Sequence, residues 1–321
     1  MQIPEFNRLP TSDFHGIPSF VEDEYYVAAF GLQWLNHSKT QLDSHTGLTI
    51  TRDRLLRMFG PLYSELEGKV VLEAGCGAGR FTEILLESNS SVTAIDLSIA
   101  VLANYENNGK NSNLRIARAS ITDLPFEKEQ FDIVFCPGVV QHTPDPSKSI
   151  SELHKQVKPG GWLIFDQYRY NFSSILKTTW IARLILKRLS AEKGLVLTDW
   201  LVKIWLPAHK KVAKNRILEV LLFRISPITA HYAGYPNMSE DDQIAWARLA
   251  THDNLTDFHK HYTSVRRIKR VIQDLGGINQ IFCIMPYTIE VRYQKPAGDK
   301  STAISDKPVI RKLKGSKVVS G

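Results

Sequence analysis

The sequence lacks the features that mark membrane, secreted and metal-binding proteins. No run reaches the ~18 consecutive apolar residues of a membrane-spanning helix, and residues 1–6 lack the basic and then apolar pattern of a secretory signal. The three cysteines, Cys76, Cys136 and Cys283, are far apart, which predicts neither a disulfide framework nor a zinc site. We therefore expect a soluble, cytoplasmic protein without a bound metal.

What is present is the composition of an ordinary globular protein. The 321 residues suit one large or two modest domains, and a hydrophobic content of 43% is enough for a packed core. Charge is uneven, because the chain carries a net +7 and residues 167–226 hold 12 lysines and arginines against three acids. We see no internal repeat. The basic segment therefore needs an interpretation of its own.

Between residues 69 and 168, short apolar runs alternate with longer mixed segments, which is the pattern of strand-helix units in a parallel sheet. Lys158-Pro159-Gly160-Gly161 predicts a turn that ends one helix and precedes the next strand. The predicted strands are 69–74, 91–96, 114–117, 131–136 and 162–167. The predicted helices are 80–88, 98–107 and 145–157. A helix at 263–275 and two strands at 278–285 and 287–293 would close the sheet with an antiparallel edge.

The strongest local signal is the stretch Val70-Val71-Leu72-Glu73-Ala74-Gly75-Cys76-Gly77-Ala78-Gly79. A buried strand ends near an acid, and a Gly-x-Gly-x-Gly turn then opens a helix. Glycines permit the tight turn and let a ligand approach the backbone. Nicotinamide dinucleotide sites use Gly-x-Gly-x-x-Gly with phosphate at the helix end, whereas here Arg80 replaces the third glycine. The acid would repel a pyrophosphate and suits a cationic ammonium group.

Three later segments fall in place after this turn. Asp96 ends the second strand 17 residues after Gly79, where a carboxylate can bind both hydroxyls of a ribose. The stretch Ala119-Ser120-Ile121-Thr122-Asp123 follows the third strand. The fourth strand leads into Pro137-Gly138-Val139-Val140-Gln141-His142.

Together these residues resemble the class I S-adenosylmethionine-dependent methyltransferase family, in particular its type 11 group of small-molecule and lipid-modifying enzymes, over roughly residues 69–168. The resemblance implies an α/β fold, with a Rossmann-like, seven-stranded, mostly parallel sheet, an antiparallel last strand and an inserted helical lid. It implies S-adenosyl-L-methionine as the cofactor. The residues that it places around this cofactor are Glu73, Gly75, Cys76, Gly77, Gly79, Asp96, Leu97, Ser120 and Ile121. The family usually has an acid where Ser120 stands, so the contact to the adenine amino group stays open between Ser120 and Asp123.

The flanks carry a looser resemblance, to methyltransferases of sugar and cell-surface biosynthesis. It rests on Phe30-Gly31-Leu32-Gln33-Trp34 and on His252-Asp253-Asn254-Leu255. In such proteins the N-terminal piece closes over the cofactor, so Trp34 either stacks near the cofactor or is an ordinary core residue. The implied division is an N-terminal cofactor cover of helix and loop at 1–66, a Rossmann-like core at 67–170 and 251–295, a helical lid at 171–250, and a disordered basic tail at 296–321.

Methyl transfer to oxygen needs a proton acceptor within reach, and histidine suits this role near neutral pH. His142 follows the fourth strand, at the carboxyl edge where ligands of open α/β sheets bind. The alternative is that His142 only packs beside the cofactor. His252 with Asp253 is a second candidate, because an adjacent acid could orient the base, although neighbours in sequence often point apart. His259 and His261 are weaker candidates.

We therefore expect methyl transfer to a small-molecule, sugar or lipid-linked acceptor, on oxygen. The alternatives are a nicotinamide-dependent oxidoreductase and a non-catalytic cofactor-binding protein. The basic segment 169–226, with Trp180, Trp200 and Trp205, is either a helical lid with solvated charges or a peripheral contact to an anionic membrane surface. Nucleic-acid binding ranks last, because no recognisable module is present. The sequence leaves the oligomeric state open.

Overall fold

The fold is organised around one mixed β-sheet. A computed structural model describes residues 3–22, 31, 33–35, 37–170, 179–186, 188–232, 234–298 and 308–312. Its strands are β1 (Ser12–Phe14), β2 (Ile17–Ser19), β3 (Val70–Ala74), β4 (Ser91–Asp96), β5 (Leu114–Arg118), β6 (Phe131–Cys136), β7 (Val157–Arg169), β8 (Tyr262–Thr263), β9 (Ile278–Ile284), β10 (Thr288–Gln294) and β11 (Val309–Lys312).

The central seven strands have the predicted topology. Their order across the sheet is β5-β4-β3-β6-β7-β10-β9. The first five strands in this order are parallel to one another. Strand β10 is the last of the seven along the chain, and it pairs antiparallel with both β7 and β9. The expected α/β fold, with a mostly parallel sheet and an antiparallel last strand, is therefore confirmed.

Four short strands extend this sheet beyond the expected seven, to eleven in the described residues. The N-terminal extension was expected to be helix and loop, but β1 and β2 form a hairpin that joins the edge of β5 through Ser19 and Arg118. The tail was expected to be disordered, yet β11 pairs with β9. Each of these strands has two to four residues. The edges of β5 and β9 supply the pairing for β2 and β11, and β8 pairs with the last two residues of β7. Tail residues 299–307 and 313–321 lie outside the described residues.

The prediction of a turn at residues 158–161 is wrong, because these residues are part of a strand. The helix before it ends at Gln156, but the four residues belong to β7. Gly160 has φ +79°, and the register between β6 and β7 shifts between Phe131 and Ile133. The proline and glycines therefore form an irregularity within a strand, because Lys295 after β10 exchanges backbone hydrogen bonds with Gly160 and Gly161 at 2.9 Å.

Helices cover both faces of the sheet. They are α1 (Asp43–Thr46), α2 (Ile50–Phe59), α3 (Arg80–Glu87), α4 (Val101–Asn108), α5 (Pro146–Gln156), α6 (Thr179–Leu186), α7 (Ala191–Val212), α8 (Arg216–Ile225), α9 (Glu240–Thr256) and α10 (Val265–Asp274). Alternate residues of β3 enter two different cores: Val71 packs with Leu55 and Phe81, whereas Leu72 packs with Leu153 and Ile272. Two buried faces explain why these strands read as continuous apolar runs.

Helices α6 to α9 lie between β7 and β8 in the chain, where the helical lid was expected. Helices α7 and α9 form a small core with the segment between α8 and α9, made of Val202, Leu206, Ile228, Ala230 and Ala247. The expected boundary at residue 250 falls inside α9, which runs to Thr256. In the described part of the chain, no helix is long and apolar enough to cross a membrane.

Candidate functional site

A cavity opens at the carboxyl ends of the parallel strands. Its wall comes from the segments that follow β3, β4, β5 and β6, together with the end of β7. Helix α9 and residues near Trp34 close it from the other side. Loops after several parallel strands meet at one edge of the sheet, which is where open α/β sheets bind ligands.

The turn after β3 has the geometry that its glycines predict. Gly75, Gly77 and Gly79 have φ of +84°, +52° and +88°, values that side chains with a Cβ rarely adopt. A Cβ on Gly75 would lie 2.1 Å from Val139, and one on Gly79 would lie 2.2 Å from Asn104. Gly75 and Gly77 line the cavity. The turn is therefore a tight cradle of bare backbone against the cavity.

Asp96 anchors this turn to the end of β4. Its carboxylate accepts hydrogen bonds from the Gly77 N–H at 2.9 Å and from the backbone and hydroxyl of Ser98 at 2.8 and 2.7 Å. The Ile95 carbonyl accepts from the N–H groups of Gly75 and Cys76. Since a carboxylate has about four acceptor positions, Asp96 keeps capacity for ligand hydroxyls while its orientation is fixed.

Most of the other predicted cofactor residues also line the cavity. They are Cys76, Leu97, Ser120, Ile121 and Trp34. Trp34 lies over the turn, with its Cε2 atom 3.3 Å from where a Cβ on Gly77 would stand. The Ser120 hydroxyl lies 2.9 Å from that of Thr122. Phe30 and Leu32, which were read together with Trp34, lie outside the described residues.

Glu73 and Gly79 depart from the expectation, since neither lines the cavity. The Glu73 side chain is fully buried and accepts a hydrogen bond from Thr82 of α3 at 2.6 Å. Burial raises its pKa to about 8. Glu73 shares a strand face with Val71, and alternation directs that face toward α3 rather than toward the cavity. Glu73 therefore supports the turn from behind.

His142 lines the cavity and has a buried acid beside it. Its Nδ1 lies 3.2 Å from the His259 carbonyl oxygen and 3.3 Å from Oδ2 of Asp257, which is fully buried. A carbonyl only accepts, so this contact assigns the proton of the neutral ring to Nδ1 and the lone pair to Nε2. Desolvation by burial lowers the pKa of His142 below its ordinary value. The ring is therefore neutral at pH 7 and able to accept a proton.

The side chains of the second candidate pair, His252 and Asp253, lie apart. Asp253 lines the cavity, whereas His252 does not. His252 is buried between helices, where its Nδ1 lies 2.5 Å from Oε1 of Gln33, and burial lowers its pKa to about 4. Consecutive residues of a helix point about 100° apart, and here Asp253 points to the cavity while His252 points toward Gln33. The expected pairing of His252 with Asp253 is wrong.

Several polar residues of the cavity were missed by the sequence analysis. Arg54, from α2, donates to Asp166 at 2.9 Å, and the other oxygen of Asp166 accepts from the Gly138 N–H. Arg80 binds Gln41, and burial lowers its pKa to about 9. Tyr168 stands against the His142 ring. Of these residues, only Asp166 could have been identified from the sequence, because it is an acid near the end of a predicted buried strand.

Asp257 lies at the centre of a buried charge cluster behind His142. Arg183 pairs with one of its carboxylate oxygens, and the ammonium of Lys260 lies 3.3 Å from the other. Burial lowers the pKa of Lys260 to about 7. The backbone N–H of His261 donates to the Gln141 carbonyl at 3.0 Å, which ties this segment to the loop that carries His142. The cluster therefore fixes Asp257 against the histidine.

Comparisons with known proteins show which proteins this chain is similar to. A family model described as a methyltransferase domain matches residues 72–165. The chain is 32% identical over 170 residues to the ubiquinone biosynthesis O-methyltransferase of Pseudomonas entomophila, across 52% of this chain and 73% of that protein. The namesake from Pseudomonas syringae pv. tomato is 32% identical over 172 residues, across 53% and 74%. Among solved structures, the N-methyltransferase NodS of Bradyrhizobium japonicum, in complex with S-adenosyl-L-homocysteine, has 15% identity and a TM-score of 0.42 across 76% and 87% of the two chains.

The chain belongs to the class I S-adenosylmethionine-dependent methyltransferases. It is an enzyme, and S-adenosyl-L-methionine is its cofactor. The predictions of family, activity and cofactor are confirmed, and neither the oxidoreductase nor the non-catalytic alternative is supported.

Proposed function

We propose that the enzyme methylates a hydroxyl group of a small-molecule acceptor. The observation that carries this proposal is His142 in the cavity wall, with its Nδ1 held by the His259 carbonyl and Asp257 at 3.2 and 3.3 Å. An oxygen nucleophile must lose its proton, and a neutral histidine backed by a carboxylate is suited to take it. The relatives named as O-methyltransferases support the same acceptor atom.

The cofactor would occupy the half of the cavity built from β3, β4 and β5. The bare backbone at Gly75 and Gly77 fits close approach of a ligand, and Asp96 would bind the ribose hydroxyls. Ser120, Ile121 and Leu97 would surround the adenine, with Trp34 above the turn. When bound, S-adenosyl-L-methionine supplies a methyl group on a positively charged sulfur.

The amino acid end of the cofactor carries one ammonium and one carboxylate. Two guanidiniums and two carboxylates line the cavity near the turn: Arg54, Arg80, Asp166 and Asp253. Since Glu73 does not reach the cavity, Asp166 is the acid that takes the ammonium in this proposal. Arg80 would hold the carboxylate. Asp166 is buried and Arg80 is half-buried, and removal from water strengthens charge-assisted hydrogen bonds.

The proton would pass from the acceptor hydroxyl to Nε2 of His142. Asp257 then stabilises the imidazolium, because its carboxylate faces the opposite ring nitrogen at 3.3 Å. The lowered pKa of His142 makes the ring a weak base. A weak base is better matched to a phenolic hydroxyl, with a pKa near 10, than to a far less acidic aliphatic alcohol. We therefore expect an aromatic hydroxyl.

Apolar side chains complete the acceptor side of the cavity. Val139, Leu249 and Ala250 line the cavity, as does the ring of Tyr168. Such a wall suits an aromatic ring or a lipid-linked acceptor better than a bare sugar, which would leave hydroxyls without partners. The acceptor class is therefore a small phenol, either free or attached to a lipid.

The test is methyl transfer to a matched pair of acceptors. The enzyme is incubated with S-adenosyl-L-methionine and either a substituted phenol or the aniline of the same shape, and the product is read by mass spectrometry. We expect the methyl ether from the phenol and little product from the aniline. Methylated aniline with no methyl ether, across a panel of such pairs, would contradict the proposal. Titration with S-adenosyl-L-homocysteine confirms that the preparation is competent.

A further inference from the structure

Helix α8 turns an apolar face toward solvent. Ile217, Leu221 and Ile225 follow one another at intervals of four residues and therefore share one face. They are 74%, 55% and 58% exposed, and α8 has no buried residue. The inner side makes a different contact, because the Phe223 ring packs against His209 of α7 at 4.8 Å. The face of α8 that carries these three residues is thus apolar and exposed.

Helix α7 repeats this arrangement. Val196, Trp200 and Ile204 are also four residues apart, and each is exposed by half or more. The opposite side of α7 is buried, where Val202 and Leu206 pack with Ala247 of α9. The outward stripe of α7 is therefore not needed for the small core of the helical segment. Single exposed apolar residues are common on soluble proteins, whereas rows of them on a helix mark interaction sites.

Cations surround the two apolar faces. Arg224 lies three residues after Leu221 on the face of α8, and Lys203 lies three residues after Trp200 on α7. Three more exposed cations lie where the two helices meet: Lys211 at the end of α7, Lys214 in the connection and Arg216 at the start of α8. Of the three acids on these helices, Asp199 pairs with Arg248, Glu219 is half-buried, and Glu192 is exposed on the face of α7 that carries Val196. Cations therefore still outnumber exposed acids around the two faces. Lys210 is also neutralised, by Glu240 at 2.7 Å.

We propose that α7 and α8 form a docking face for an anionic lipid bilayer. Exposed alkyl and indole side chains with interspersed cations are the composition of interfacial helices, which lie in the headgroup layer. A second copy of the chain fits this face poorly, because two equal sets of cations would repel each other. The inference goes beyond the proposed function, since neither helix supplies a residue to the cavity wall.

The test is co-sedimentation of the full chain with vesicles of phosphatidylcholine mixed with phosphatidylglycerol, and with vesicles of phosphatidylcholine alone. We expect binding to the anionic vesicles at low salt and release as salt rises, because the Debye length shortens. The double variant Ile217→Ser with Leu221→Ser should bind at least tenfold more weakly. The charge variant Lys214→Gln with Arg224→Gln should also lose about tenfold or more.

Matched controls separate this face from nonspecific binding to vesicles. Leu9→Ser with Tyr105→Ser removes two exposed apolar residues elsewhere, and Lys110→Gln with Lys128→Gln removes two exposed cations elsewhere. Both controls should bind as the wild type does. Quenching of fluorescence by brominated acyl chains should fall in Trp200→Phe, which reports insertion of that side chain. All variants should bind S-adenosyl-L-homocysteine normally. The vesicle test uses no acceptor, so its result does not depend on whether the enzyme methylates a phenol.

Three results would overturn the inference. The first is a wild type that does not bind anionic vesicles at low salt. The second is a wild type that binds while the α8 variants bind equally well, which would assign the contact to another surface. The third is a dimer in solution that Ile217→Ser with Leu221→Ser dissociates, which would assign the face to a second copy.

Discussion

The two halves of the cavity are built in different ways. The cofactor half is formed by short turns that follow β3, β4 and β5, and each residue lies close in sequence to the strand that positions it. The acceptor half depends on contacts between distant segments, since His142 meets Asp257 and His259 more than 100 residues further along the chain. A local motif can identify the first half, whereas only the folded chain shows the second.

The largest effect is expected at the centre of the cofactor half. Gly77→Val places a branched side chain at φ +52°, with its Cβ 3.3 Å from Trp34. We expect S-adenosyl-L-homocysteine affinity to fall at least about 100-fold in calorimetry, because the added atoms enter the cradle. Gly47→Val is the control, since Gly47 also has a positive φ, of +67°, but has no atom within 4 Å of its Cβ position. Equal losses in both variants would show that backbone strain alone is responsible.

Asp96→Ala should have the next largest effect. It removes a carboxylate acceptor for the ribose hydroxyls, a type of hydrogen bond worth about 1.5–3 kcal/mol. Calorimetry should show a roughly tenfold or greater loss of S-adenosyl-L-homocysteine affinity. The loss should exceed that of Ser98→Ala, which removes only a partner of the same carboxylate. Unchanged affinity in a folded Asp96→Ala variant would remove Asp96 from the site.

Asp166 and Glu73, the two acids considered for the ammonium of the cofactor, give a sharper comparison. Asp166 lines the cavity and Glu73 does not, so Asp166→Asn should weaken S-adenosyl-L-homocysteine binding about fivefold, and Glu73→Gln should change it less than about twofold. The opposite order would restore Glu73 to the cofactor contacts that the family resemblance implied.

Glu73→Gln has a second readout. The raised pKa of Glu73, about 8, means that its contribution to stability is present at acid pH and is lost as pH rises from about 4.5 to about 8. The melting temperature of the variant, relative to the wild type, should therefore increase over this range. A difference that is constant with pH would show that Glu73 does not titrate there.

The smallest effect on turnover is expected at the other candidate histidine. His252→Gln should change turnover less than about threefold, because His252 lies behind the cavity wall and contacts Gln33. The variant should still bind S-adenosyl-L-homocysteine. A loss of about 100-fold in turnover at normal cofactor affinity would return His252 to the catalytic machinery.

The central sheet was predictable because its signals are local. β4 and β6 have the predicted bounds, since apolar runs of six residues with turns on either side define them without help from the rest of the chain. β1, β2, β8 and β11 were not predictable, because their partners decide that they are strands. The turn at residues 158–161 failed for the same reason, since pairing with the end of β10 absorbs its proline and glycines.

The residues of the candidate site also divide into those with a local sequence signal and those that depend on distant segments. Cys76, Gly77 and Asp96 follow from a motif with fixed spacing, and all three line the cavity. The position of Glu73 could have been read from strand alternation, since it shares a face with Val71. Asp257 could not have been identified, because nothing in its local sequence marks it. It reaches His142 only because β8 pairs with β7 and His261 binds Gln141.

The central claim is that His142 takes the acceptor proton in a half of the cavity that cofactor binding does not need. The most direct measurement is turnover with a phenolic acceptor and S-adenosyl-L-homocysteine affinity, both determined on the same preparation of His142→Gln. We predict a loss of turnover of about 100-fold or more with affinity within about twofold of the wild type. The acid limb of the wild-type pH profile should lie below pH 6.5, because burial lowers the pKa of His142, and should be absent from the variant. Normal turnover in His142→Gln, or an affinity loss as large as the turnover loss, would contradict the account.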